Sequence, residues 1–458
     1  MLGETYHDSE RSGACLSWFL ISGTIERFIA VLSGGFMLEG SVLPIVDDLI
    51  GEANAPLASR MTPLELRASF SLASIFALRM LGLFLILPVF VIEAARYPGG
   101  DDTAMVGLTM GLYGLTQAML QFLYGLASDR LGRKPVIVFG LLVFATGSVV
   151  AALAPTLTWL AVGRAVQGAG AVSAAVTALL ADQTRDAVRT KSMALIGVSI
   201  GLMFALSLVA APVLAAHIGL VGIFTLTAVL AVLGIAGVLW WVPAEPVQHQ
   251  NQPRGGLLEV LRSGALARLN FGVFILHAVQ LAMWLALPAM LRNAGLASEQ
   301  HWQIYLPAVL GSFVLMGGSL FQLEKHGYLR AVFLTSIGLT AAVQLALCWF
   351  SGAAPSVLEL GLLLFVFFYG FNVLEASQPS MVSRLAPPAS RGAAMGVYNT
   401  LQSLGLFAGG ALGGWLVKHV GERGLFAVCT GAMLLWLLVA WPMSAAPAGA
   451  PGLTPKAG

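Results

Sequence analysis

Apolar residues run along this chain in long unbroken stretches, with neither the alternation of a half-buried strand nor the narrow stripe of a surface helix. A stretch of about 20 such residues crosses hydrocarbon as an α-helix. From Ser69 onward twelve of them can be read, at 69–94, 104–126, 135–154, 157–181, 191–216, 221–242, 268–291, 303–323, 330–350, 357–382, 392–417 and 424–442. Short polar or Pro/Gly-containing turns join them. The exception is the connection from Pro243 to Arg268, which carries Glu245, His249, Arg254, Glu259 and Arg262 and divides the stretches six and six. The pattern predicts an all-α membrane protein of twelve transmembrane helices in two pseudo-symmetric six-helix bundles. Its expected organisation is an N-terminal extension over 1–60, a first bundle over 61–242, a cytoplasmic linker over 243–267, a second bundle over 268–443 and a short cytoplasmic tail over 444–458.

Composition sharpens this. Of 458 residues, 58% are hydrophobic and 10% charged, against about 25% charged in a soluble domain. A water-soluble fold of this size has no way to hide so much apolar surface. An ordinary cytosolic enzyme, a nucleic-acid binder and a disordered chain are thereby excluded. The net charge of +2 is too small to point to an anionic polymer. The placement of the cations says more. With the residues before Ser69 inside, the inner segments hold Arg67, Arg130, Arg133, Lys134, Arg185, Arg189, Lys191, Arg254, Arg262, Arg268, Lys325, Arg330, Arg384, Arg391 and Lys456. The outer loops hold only Arg96, Arg292, Lys418 and Arg423. By the positive-inside rule both termini and the linker are cytoplasmic. Cys15, Cys348 and Cys429 form no CxxC or CxxH pair and read as small apolar residues, with no disulfide framework and no metal site.

The two halves echo each other at an offset near 200. Leu87-Pro88 recurs as Leu287-Pro288, and Arg189-x-x-x-Met193 as Arg391-x-x-x-Met395. Together they favour a duplicated six-helix unit related by an axis along the membrane normal, with a central seam between halves. Residues 1–60 stand apart. Their apolar part, Cys15 to Val46, is interrupted by Glu26, Arg27 and Glu39. Met61-Thr62-Pro63 looks a more natural start, so the extension reads as a dispensable or mis-assigned leader. An extra membrane segment and a signal or interfacial helix are the alternatives.

Between the second and third stretches lies Gly125-Leu-Ala-Ser-Asp129-Arg130-Leu-Gly132-Arg133-Lys134-Pro135. It is a tight inner turn. Gly125 permits close backbone approach, Gly132 supplies conformational freedom and Pro135 suits the first turn of a helix. Arg130, Arg133 and Lys134 face the anionic leaflet, while Asp129 can accept from a cation or a helix N-terminus. Three cations alone would be a positive-inside anchor; the full GxxxDRxGRK spacing points to more. The string resembles the signature loop of the major facilitator superfamily. Arg164-Ala-Val-Gln167-Gly168-Ala-Gly170-Ala171 is similar to the family's second signature. Leu78-Arg79-Met80-Leu81-Gly82, Tyr113-Gly114-Leu115-Thr116-Gln117 and Met395-Gly396-Val397-Tyr398 resemble a YajR-like proton-driven efflux branch of it, over roughly Met61 to Pro442. Two features depart from that branch. The chain stops soon after Pro442, where the branch's type member carries a small soluble domain. In the fifth stretch Gly197-x-x-x-Gly201 is present, but Ala211 precedes Pro212 where the drug-antiporter signature has Gly-Pro. The resemblance implies a rocker-switch carrier of a bacterial inner membrane. Its inner loop would close against the eleventh helix in the outward-open state, with Asp129, Arg133 and that helix's N-terminus as a charge latch and Gly125 allowing the approach. Arg164 would belong to the proton-coupling machinery.

Independently of family, a charge at mid-bilayer costs about 2.5–3.5 kcal/mol on insertion scales. Only Arg79, Arg164, His277 and Glu375 lie well inside the stretches, on the first, fourth, seventh and tenth. A shared wet cavity is the natural explanation, and these four form the candidate proton-coupling set. Glu375 is the only mid-helix carboxylate and can exchange a proton as a cavity opens to either side. The structural alternative is an ion pair with an arginine. His277 titrates in the physiological range, or is a hydrogen-bonded packing residue. Arg164 either steers an anionic substrate or holds the proton balance of Glu375. Candidate cavity residues are Tyr113, Gln117, Gln121, Gln280, Trp284, Tyr369, Asn372, Asn399 and Gln402; interhelical hydrogen bonding is the plain alternative for such amides. The glycine run Gly405, Gly409, Gly410, Gly413, Gly414 reads as close helix packing or sliding.

The chain has no GxxxxGK[ST] phosphate loop, no HExxH and no loop long enough for a catalytic domain. The expected function is therefore not an enzyme but secondary active transport, proton-coupled export of a small, amphipathic organic compound by alternating access. A facilitator or proton symporter for a small metabolite is the alternative, ahead of a receptor or scaffold. No cofactor is expected. The expected partners are a small-molecule substrate, protons and the lipid bilayer, with no nucleic acid, and the expected state is a monomer.

Overall fold

Residues 61–245, 257–325, 328–353, 355–387 and 390–443 are described by a computed structural model. The expectations for residues 1–60, for most of the linker and for the tail from 444 lie outside them. The Thr62 hydroxyl accepts the Glu65 N–H at 3.2 Å and the Glu65 carboxylate takes the Thr62 N–H at 2.8 Å, a capping box that starts α1 (Pro63–Phe84). There follow α2 (Phe90–Ala94), α3 (Thr103–Leu131), α4 (Arg133–Ala152), α5 (Leu157–Ala169), α6 (Ser173–Asp182) and α7 (Asp186–Trp240). Beyond the linker come α8 (Leu257–Arg262), α9 (Gly264–Asn293), α10 (Trp302–Lys325), α11 (Leu329–Phe350), α12 (Val357–Leu385) and α13 (Arg391–Ala440). No strand occurs among the described residues.

Each predicted stretch is largely helical, and among the described residues eight helical spans, one of them α5 and α6 taken together, are long and apolar enough to cross a membrane. Two of the eight, α7 and α13, each carry two predicted stretches. They turn at Gly219 (φ 60°) and Gly421 (φ 77°), in the left-handed region that favours glycine. α3 and α10 reach 29 and 24 residues. The first and fourth stretches are each interrupted, at Leu85–Val89 around Pro88 and at Gly170–Val172. Pro288, the repeat mate of Pro88, stays inside a continuous helix. Phe139 and Leu142 on α4, Trp349 on α11 and Leu438 on α13 are exposed, a surface suited to acyl chains and not to water.

Corresponding structural features recur at the spacing of the sequence repeat. Positive-φ glycines turn the chain at Gly99 and Gly295, and again at Gly219 and Gly421. A cation at the start of α4 and of α11 covers the free carbonyls at a helix C-terminus: Lys134 Nζ donates to Val242 O at 2.8 Å, and Arg330 Nη2 to Trp441 O at 2.7 Å.

The glycine run on α13 serves two faces. A Cβ on Gly405 would strike Phe274 O of α9, one on Gly409 Ala278 O, and one on Gly413 the Leu285 side chain at 2.8 Å. Gly410 and Gly414 turn instead toward α3, where a Cβ would lie 2.5 Å from Gly107 O and from Thr103 O respectively. Backbone meets backbone along this seam, as small residues allow in lipid. At its end Asp102 caps α3 through the Ala104 N–H at 2.9 Å and accepts Lys418 Nζ of α13 at 2.8 Å. That Lys418 hydrogen bond, helped by the capped amides, holds the Asp102 carboxyl below its ordinary value.

Two outcomes are expected. Gly410→Val should wedge α3 from α13, so that spin labels at the exposed Asp101 and Arg423 gain a longer-distance population by double electron–electron resonance; an unaltered distribution would mean the seam does not hold this end shut. The depressed carboxyl stabilises the closed end fully above its ordinary pKa of 3.8 and loses that contribution only as pH falls through the lowered value. Between about pH 8 and about pH 5 the change that Asp102→Asn makes in these distances should accordingly stay constant, and a change that varied near neutrality would refute this assignment.

Candidate functional site

The four charged side chains expected within the spans separate into two clusters, one in each half. Arg79 on α1 donates through Nη2 to the Tyr113 hydroxyl at 2.6 Å and to Gln117 Oε1 at 3.2 Å, and through Nη1 to Ser173 Oγ at 3.1 Å. Its guanidinium carbon lies 5.6 Å from the centre of the Phe144 ring. Arg164 on α5 donates to Gln167 Oε1 at 2.8 Å, and Gln167 in turn to Ser148 Oγ at 2.8 Å. Tyr113 sits between the two cations, because the Arg164 guanidinium stands over its ring at 4.9 Å, a cation–π distance. The close fit rests on Gly168, where a Cβ would strike Tyr113 O.

In the other half, His277 on α9, Glu375 on α12 and Gln402 on α13 converge. Gln402 Nε2 donates to Glu375 Oε1 at 3.1 Å and lies 2.7 Å from His277 Nε2, and His277 Nε2 is 3.4 Å from Glu375 Oε2. His277 Nδ1 lies 3.0 Å from Val273 O. A carbonyl only accepts, so Nδ1 carries the proton and Nε2 of the neutral ring is left as an acceptor. Nε2 and the carboxylate then face each other as two acceptors, and one proton between them resolves the contact. Glu375 Oε2 is buried and has no hydrogen-bond partner. Glu375 thus engages an imidazole and an amide, in place of the arginine ion pair that was the structural alternative for it.

The clusters meet through α13. Gln117 Nε2 donates to Ser403 Oγ at 3.0 Å, and Ser403 follows Gln402 in the chain. Other cavity candidates lie apart. Trp284 packs edge-on against Tyr305 at 5.4 Å, and Tyr305 against His301. His301, between α9 and α10, is buried, and that burial, with a smaller push from Arg292, brings its imidazole down to about 4. Asn372 Nδ2 donates to Ser312 Oγ at 2.9 Å, and Tyr369 packs on Val332 and Val373. Gln121 and Gln280 are buried, Gln121 with Oε1 unpartnered, and the Asn399 carbonyl accepts the Ser403 hydroxyl at 3.0 Å.

Several polar groups here escaped sequence reading. Gln378, fully enclosed with both amide atoms unpartnered, and the unpartnered Tyr398 hydroxyl sit at i+3 from Glu375 and i−4 from Gln402, spacings that would have marked them. Gln167 sits at i+3 from Arg164, the same signal, whereas Ser173 and Ser403 carried none.

At the far end of α3, Arg133 Nη1 pairs with Asp129 Oδ1 at 2.6 Å and reaches Ser128 Oγ at 2.6 Å, and its Nε pairs with Asp182 Oδ2 at 3.0 Å. The Glu245 carboxylate accepts the backbone N–H groups of Arg133 at 2.9 Å and Lys134 at 2.5 Å, capping α4 from the start of the linker. Asp182 and Glu245 were likewise not singled out in the sequence. Gly132 turns with φ 95°. A Cβ on Gly125 would meet only the Ala174 methyl at 4.0 Å, so the close approach expected there is not made in this arrangement.

Comparison with known proteins fits this architecture. The chain matches the Major Facilitator Superfamily at residues 72–323 and again at 269–457. It is 41% identical over 394 residues to the inner membrane transport protein YajR of Escherichia coli K12, covering 85% of this chain and 86% of that one. It is 29% identical to the multidrug resistance protein MdtH of Escherichia coli O1:K1, over 74% and 83% of the two chains. A crystal structure of the nucleoside transporter NupG superposes with a TM-score of 0.65 at 15% identity, over 82% of this chain and 99% of that one. With its apolar helices, its paired halves and these matches, the chain belongs to the major facilitator superfamily of membrane transporters.

Proposed function

We propose that this chain is a proton-coupled carrier of the bacterial inner membrane that exports a small organic compound by alternating access. The observation that carries the reading is the His277–Glu375–Gln402 cluster: a carboxylate and an imidazole share room for one proton at mid-span depth, one residue along α13 from the contact between halves. An ion there is costly, so proton uptake or loss follows from which side admits water. The name of YajR, an inner membrane transport protein, supports membrane transport, and that of MdtH, a multidrug resistance protein, fits a small organic compound. The positive-inside count sets the Asp129 end in the cytoplasm and the Asp102 end outside, so the arrangement described is closed toward the outside. Opening it separates Gln117 from Ser403 and Gly410 from Gly107, and brings outer water to Glu375.

The Asp129–Arg133–Asp182 cluster acts at the opposite end. When the outer seam opens, the cytoplasmic ends approach, Gly125 makes room for α13, and Asp129 faces that helix's N-terminus, where a carboxylate is favoured. Arg130, which is exposed, holds the loop at the leaflet.

One observation favours proton symport as a second reading. Among the described residues Arg79 and Arg164 have no carboxylate partner, and an anion beside them and a proton on Glu375 attract each other. The sign of proton movement separates the readings. In everted vesicles with an acid lumen, a compound panel is screened by acridine orange fluorescence. An exported compound should draw protons out of the lumen, a symported one should carry protons in, and a facilitator should leave the gradient untouched. Glu375→Gln should abolish the proton signal while compound exchange without a gradient persists; a signal equal to that of the unaltered protein removes Glu375 from coupling. Asp129→Asn removes the contact with the α13 N-terminus made only with the outer seam open, so at about 1 kcal/mol it should shift the populations about fivefold toward the outside-closed arrangement, and unchanged label distances together with unchanged transport would end the latch assignment.

A further inference from the structure

The first half of the molecule holds two cations for which it supplies no anion. Arg79 and Arg164 are 1% and 2% exposed. Among the described residues no Asp or Glu oxygen comes within the 4.0 Å ion-pair distance of either guanidinium. Burying an unpaired charge is costly, and such groups persist where something pairs with them. The neutral acceptors do not suffice. A guanidinium has five N–H donors in a planar fork. Arg79 finds three acceptors, whereas Arg164 makes a single hydrogen bond, to Gln167. The Nε–H of each is buried with no acceptor. Both cations flank Tyr113, one at its hydroxyl and one over its ring, so they address one place.

We infer that the transported compound is an organic anion of the carboxylate class, whose charged group docks on Arg164 beside Arg79 and whose apolar body lies against the aromatic side chains around them. The inference rests on the reading of the chain as a carrier. Its chemistry follows from charge and shape. Two guanidinium groups converge on one place where Arg164 has a single acceptor and neither Nε–H has any, so an anionic group of the compound supplies what both lack. The fork of Arg164 matches a planar carboxylate two oxygens at a time. Phe144 beneath Arg79, and Tyr113 between the cations, are buried rings beside which the remainder of the molecule would lie once the halves part.

The test needs no gradient. Protein in lipid nanodiscs is titrated with matched pairs of acid and primary amide, namely 2-naphthoate with 2-naphthamide, salicylate with salicylamide and indole-3-acetate with indole-3-acetamide, and binding is read by tryptophan fluorescence and thermal unfolding. At least one acid should bind about tenfold or more tightly than its amide. Arg164→Gln should erase that preference, and Arg164→Lys, which keeps charge but loses the fork, should retain part of it. Circular dichroism and a monodisperse elution profile establish that each variant is folded. If Arg164→Gln does not fold, Gln167→Leu, which removes the acceptor that orients the guanidinium, should weaken the acid and spare the amide. Amides binding as well as acids, no acid binding in any pair, or a preference that survives in folded Arg164→Gln each overturn the inference. Failure of the carrier reading would look different: acid preference would stand in nanodiscs while the vesicles moved no compound.

Discussion

An ion inside hydrocarbon must be matched, hydrated or neutralised, and this constraint orders the whole molecule. Helices that satisfy their own backbones solve the problem for the peptide group. Four side chains pose it again at mid-depth, and the two halves answer differently. The first half surrounds Arg79 and Arg164 with hydroxyls, amides and a tyrosine ring and leaves them charged. The second sets an imidazole beside a carboxylate, so that a single proton decides whether the pair is neutral. One half therefore presents a fixed charge and the other an adjustable one, with α13 between them.

The packing that supports this is economical in residue type. Glycines let α13 lie directly on α9 and on α3, and Gly168 lets α5 close on Tyr113, which is why Arg164 reaches over that ring. Polar side chains are spent at helix ends: Thr62 and Glu65 on α1, Asp102 on α3, Glu245 on α4. The Asp129 loop is accordingly held by several independent contacts within the first half, and the Asp102 end by an ion pair that joins the halves.

Much of the fold was legible because a lipid-spanning helix declares itself by length and hydropathy alone. The twelve apolar stretches and the glycine-bearing turns needed no partner to be recognised. Where outcome depends on a neighbour, sequence was silent. Leu87-Pro88 and Leu287-Pro288 read alike, yet one sits in a broken span and the other in a continuous helix. Arg79, Arg164, His277 and Glu375 stood out because ions are rare in such helices. Ser173 and Ser403, which engage Arg79 and link the halves, did not, since a serine in a membrane helix has the same spacing whether it binds a neighbouring helix or an arginine. Trp284, Tyr369 and Asn372 were chosen by type and depth, and rotation about the helix axis turned them to other neighbours.

The two glycine faces of α13 fix what can move. Toward α9 the helix is keyed by three glycines in register, a fit that allows no rotation of one helix about the other without collision. Toward α3 the backbones lie as close, at Gly107, Gly111 and Gly114, but that contact ends in a solvent-exposed ion pair and is crossed by the Gln117–Ser403 and Thr103–Gly414 hydrogen bonds. In the alternating-access cycle proposed above, α13 rides with α9, to which the Gln402–His277 contact also ties it, and the halves part along the α3 side. Gln402 then stays with His277 and Glu375, while Ser403, its neighbour, changes company at every cycle.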